Sequence, residues 1–206
     1  MNSTALWYAT RASGIVTLLL LTVTMILGIA TTNRFRARHW PGFAQQELHR
    51  RISILTVVFL AIHVVTSVLD SFVSISWLAV VVPFASNFSR FWVGLGAVAL
   101  DLMVAVIISS LLRPHLKAGT WRGIHWLAYL CWPIALVHTF GVGTDSRAHW
   151  VIALVVACVI AVGGALVWRF SRSGGQSTTV SVATAKVAPP SRLIASARSN
   201  EYPHDR

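Results

Sequence analysis

The chain has 206 residues, of which 55% are hydrophobic and only 11% charged, with a mean hydropathy of +0.68. Soluble domains average about 25% charged residues, so this composition excludes a water-soluble globule as well as a disordered or collagen-like chain. Lys and Arg number 17 against 6 Asp and Glu, but the basic residues cluster in short segments between apolar runs. That is the pattern of cytoplasmic loops, and no nucleic-acid partner is expected.

A bilayer core about 30 Å thick needs about 20 mostly apolar residues per helix. Five such windows occur, at approximately 14–30, 52–69, 91–112, 124–142 and 150–170. A sixth apolar stretch, ISWLAVVVPFA at 75–85, is too short to span and carries Pro83, so it reads as a short re-entrant or interfacial segment. The expected fold is an all-α integral membrane protein, a five-span helical bundle.

Orientation follows from the connections. The segment RFRARHWPGFAQQELHRR between the first two spans holds five arginines, and RPHLKAGTWRG lies between the third and fourth; the other two connections hold one arginine each. The arginine-rich connections belong on the cytoplasmic side, which puts the N-terminus outside and the C-terminus inside. Residues 1–170 then form one membrane domain. Residues 171–206, rich in Ser, Ala, Thr, Gly and Pro, read as a disordered cytoplasmic tail. A cleaved signal peptide over 1–30 would leave the arginine-rich segment outside, against the charge rule.

Four of the eight histidines are placed regularly. His49 and His63 are 14 residues apart at the start and middle of the second span, and His125 and His138 are 13 apart in the fourth. At 1.5 Å rise per residue each step covers about 20 Å, one histidine per leaflet. The two spans run in the same direction, so His49 lies level with His125 and His63 with His138. Two imidazoles at matching depth on neighbouring helices can clamp a planar cofactor, giving an iron two axial nitrogens. Two levels imply two b-type haems. They would be non-covalent, because neither Cys131 nor Cys158 lies in a C-x-x-C-H sequence. A step of 14 residues nearly returns to one helix face; a step of 13 does not, and Pro133 between His125 and His138 is expected to kink the helix.

The stretches ELHRRISILTVVFLAIHVV and WRGIHWLAYLCWPIALVHTF, with these four histidines, resemble the ferric reductase-like transmembrane domain family, shared by ferric reductases, the membrane cores of NADPH oxidases and the haem subunit of the bacterial periplasmic methionine sulfoxide reductase system. The likeness covers roughly residues 10–170. It implies a bis-haem cytochrome b core in a membrane, here expected to be a bacterial inner membrane. Members that draw electrons from NADPH themselves carry flavin and nicotinamide domains after the last span, where this sequence has the short tail. The expectation is therefore an electron-transfer subunit of an oxidoreductase with flavin only on a partner, fed by a flavoprotein or quinol and passing electrons to an external acceptor or periplasmic partner.

Arg50, Arg51 and Arg122, at the inner ends of the haem-bearing spans, are candidates to pair with the propionates of an inner haem, and Arg90 with those of an outer one; topology alone also explains them. No catalytic residue is expected, because iron with two protein ligands has no open site for substrate. Asp101, near the centre of the third span, is either a protonated carboxyl bonded to a neighbour or has a proton-path or haem-linked role. The competing reading is a small polytopic transporter using Asp101 and the intramembrane histidines as a proton relay. The flanking tryptophans, among them Trp92 and Trp121, read as interfacial anchors.

Overall fold

A computed structural model describes residues 3–32, 42–70, 73–142 and 148–174; the arginine-rich segment at 33–41 and the tail beyond 174 lie outside the described residues. The described elements are all helical: α1 (Ser3–Thr32), α2 (Gly42–Leu69), α3 (Trp77–Val81), α4 (Arg90–Leu111), α5 (Ala118–His125), α6 (Ala128–Val142) and α7 (His149–Gly174). Four of them, α1, α2, α4 and α7, are long and apolar enough to cross a membrane. The protein is an integral membrane protein. Residues up to Leu166 form one compact unit, and a second begins at Val167, whose described part is the end of α7.

The expected fourth span is two helices, because the winding tightens between Ile124 and Leu130. Leu127 N bonds Ile124 O, Tyr129 N bonds Trp126 O and Leu130 N bonds Leu127 O, each three residues back. This is 3₁₀ winding, about 120° per residue instead of 100°. Over about five residues it adds about 100°, so the 13-residue step from His125 to His138 turns as far as the 14-residue step from His49 to His63. The tightened winding turns the chain in the direction that the sequence pattern lacks. Pro133 lies further on, inside α6.

The core is a seam of α1, α6 and α7. Leu18, Leu21, Met25 and Ile29 line one stripe of α1, Val151, Val155, Cys158 and Val162 a stripe of α7, and Trp132 and Leu136 from α6 close the cluster. These spacings of three and four keep each set on one helix face. In lipid, packing and interhelical hydrogen bonds hold helices together, because apolar tails give no hydrophobic drive between them. Trp132 Nε1 donates to Thr22 Oγ1 at 3.0 Å, joining α6 to α1. The Cys131 thiol donates to Ala99 O at 3.3 Å, joining α6 to α4, and the hydroxyls of Thr24 and Thr56 meet at 3.3 Å between α1 and α2.

The apolar stretch at 75–85 contains the single-turn helix α3, with Ser76 Oγ accepting from Ala79 N. Trp77, Leu78 and Val81 are exposed, as an interfacial segment requires. Phe84 adopts a left-handed backbone, φ 64°, and lays its ring on Gly94 of α4, where a side chain would collide with it. Arg90 Nε donates to Phe84 O at 2.7 Å and ties the segment to the start of α4.

Candidate functional site

The helices pack in pairs, α2 along α1 and α4 along α6, while α2 has no extended contact with α5 or α6. One histidine of α2 nevertheless meets one of α5. His49 and His125 have ring centres 6.3 Å apart with planes at 67°. His63 lies against Gly14 of α1 and His138 against Gly96 of α4. His49 and His125, placed level by the sequence, are therefore neighbours in the structure.

Three of the four rings are fixed in the same way. His63 Nδ1 bonds the carbonyl of Thr10 at 2.9 Å, His49 Nδ1 that of Thr24 at 3.1 Å, and His138 Nδ1 that of Trp92 at 2.7 Å. A carbonyl only accepts, so each Nδ1 carries the proton and each Nε2 keeps its lone pair. That is the tautomer a metal-ligating imidazole needs, and the second bond raises its basicity.

A glycine lies four residues after each carbonyl: Gly14 after Thr10, Gly28 after Thr24, Gly96 after Trp92. In a helix the residue at that position donates to the same carbonyl and lies over it. A Cβ at Gly14 would come within 2.9 Å of His63, one at Gly96 within 2.6 Å of His138, and one at Gly28 within 3.4 Å of His49. Their bare backbones let the imidazoles reach carbonyls already used within the helix. The two α1 cradles are 14 residues apart, the spacing of the α2 histidines. Sequence reasoning overlooked these glycines; the repeated 14-residue interval was the signal.

His125 is held differently. Its ring stacks on Trp121 at 5.1 Å and 25°, and the Arg113 guanidinium lies over the other ring system of that stack, 4.5 Å from the Trp121 centroid. His125 Nδ1 and Trp121 Nε1 are buried without a partner among the described residues, as is Thr10 Oγ1 beside the outer pair. A buried polar atom left unpaired costs about 1–3 kcal/mol, and no hydrogen bond among the described residues fixes the tautomer of His125.

Arg51, Arg90 and Arg122 have separate engagements. Arg51 Nε bonds Glu47 at 2.7 Å, one turn away, and Arg122 Nε donates to Ala118 O at 3.2 Å. Arg50, Arg51, Arg90 and Arg122 are all exposed. Arg122 and Arg113 line a groove of about 330 Å³ with Leu116, Ala118 and Trp121; Arg113 was not singled out from sequence. Asp101 is exposed on α4, two residues and so about 200° round from Ala99, which faces α6.

No group of three or more His, Cys, Asp or Glu able to hold a metal ion exists among the described residues. Paired imidazoles instead suit a planar macrocycle that brings its own equatorial nitrogens. Two rings each bound about 2 Å from one metal have centres about 6 Å apart, which the inner pair matches. The glycine cradles, which leave Nε2 of three histidines unused, fit the same group.

No curated protein and no solved structure matches the chain. The sequence profile described as ferric reductase like transmembrane component matches residues 13–142, from the first α1 cradle through α6. That interval contains all four paired histidines, and the chain belongs to this ferric reductase-like transmembrane family.

Proposed function

We propose that the protein carries electrons one at a time across the membrane through two non-covalent b-type haems. His49 and His125 hold the inner one; His63 and His138 hold the outer one. Bound haem supplies a one-electron iron couple. The chain supplies the rest: α1 and α4 carbonyls set the tautomer and angle of three rings, and the helices around them keep water away. The observation that carries the reading is the repeated cradle, a carbonyl and a glycine four residues on, which leaves Nε2 of each of these histidines free to ligate.

Electrons enter from a separate partner, a flavoprotein or a quinol, and leave to an external acceptor or periplasmic partner. The charge rule places the exposed Arg50, Arg51, Arg113, Lys117 and Arg122 at the cytoplasmic face, where they favour an acidic donor. The membrane is then a bacterial inner membrane, with the N-terminus outside.

Haem content tests the ligand assignment. Pyridine haemochrome assay of purified protein is expected to give two haems per chain, and one in each variant carrying a single His→Ala change at 49, 63, 125 or 138. His115→Ala, at an exposed turn, keeps both. Full haem content in any two of the four variants contradicts the assignment.

A further inference from the structure

Resting on the bis-haem reading, we infer that His125 is the exchangeable ligand, and that its ring swings away to open the inner site to a small uncharged ligand such as carbon monoxide. His49, His63 and His138 are each tied by an Nδ1 hydrogen bond and pressed against a glycine of another helix. His125 has neither restraint. Its Nδ1 is buried and unpaired, so leaving its place lets that nitrogen reach water, whereas each of the other three would have to break a bond.

The element that carries it is free to follow. Helix α5 buries no residue, nothing lies within 4 Å of a Cβ at Gly119 or Gly123, and the 3₁₀ turn after His125 is a joint between α5 and α6. The aromatic face of Trp121 is the principal restraint on the ring. With haem bound, the exchange would break a bond from the metal to a His125 ring nitrogen and form one to the carbon of carbon monoxide. The imidazole leaves neutral, and no electron or proton is transferred.

The test is the optical change when carbon monoxide is added to purified, dithionite-reduced protein. Half of the haem is expected to respond in the wild type, all of the remaining haem in His138→Ala, and none in His49→Ala. Trp121→Ala is expected to speed capture about fivefold, the loss of one aromatic contact. Response of neither haem or of both in the wild type, or of the haem left in His49→Ala, overturns the inference. A protein purified without haem overturns the underlying reading instead.

Discussion

Gly96 is the most tightly constrained of the three cradle glycines, because a Cβ there would lie 2.6 Å from His138 against 3.4 Å for the Cβ at Gly28 and His49. Overpacking of this kind costs about 1–3 kcal/mol, and here it would also push an imidazole off its carbonyl. Gly96→Val is expected to lose the outer haem and keep the inner one, read as one haem per chain with an unchanged inner signal in low-temperature electron paramagnetic resonance. Gly28→Ala, at ordinary contact distance, keeps both. Equal loss in the two variants would show that the glycines serve only general helix packing. The histidines were legible in the sequence because their spacing and co-directional spans made a pattern. Arg113 and the Trp121 stack were not, since Arg113 lies in the turn after α4 and meets α5 only once the chain has turned. Asp101 lies exposed on the side of α4 away from α6.

The break between α5 and α6 is the element on which the histidine register depends. A period of 3.6 residues cannot align a 14-residue step with a 13-residue step, and a short stretch of 3₁₀ bonds has no residue signature, so hydropathy showed one span where there are two helices. Pro133 was the visible suspect, but α6 continues through it. Inserting one alanine between Leu130 and Cys131 is expected to turn His138 by about 100° and remove the outer haem. Pro133→Ala is expected to keep both haems, by the same haemochrome assay. Two haems in the insertion variant would mean that α6 does not set the register. The spans of α1, α2, α4 and α7 were legible because long uninterrupted apolar runs have few alternatives, and α3 because its run is too short to cross.

At the scale of the molecule, the basic residues at one end and the histidine levels about 20 Å apart give the bundle a direction. Reporters fused after Lys117 are expected to read as cytoplasmic, and those inserted near Asn87 as external; a cytoplasmic signal at Asn87 would invert the orientation. Reduction by an acidic flavoprotein is expected to slow severalfold as ionic strength rises from about 0.01 M to 0.15 M, because the screening length falls from about 30 Å to 8 Å. A small neutral quinol is expected to show no such dependence. A flavoprotein rate insensitive to salt would mean that the exposed arginines do not guide the donor.

Electron passage across a sealed bilayer tests the central claim most directly. Purified protein is reconstituted in liposomes that trap ferricyanide, and a membrane-impermeant reductant is added outside while bleaching of the trapped ferricyanide is followed. The account predicts bleaching that requires haem-loaded protein and falls to the protein-free leak rate in both His49→Ala and His138→Ala, since each removes one level of the path. Bleaching at the wild-type rate in either variant, or none beyond the leak in wild-type vesicles with two haems per chain, would contradict it.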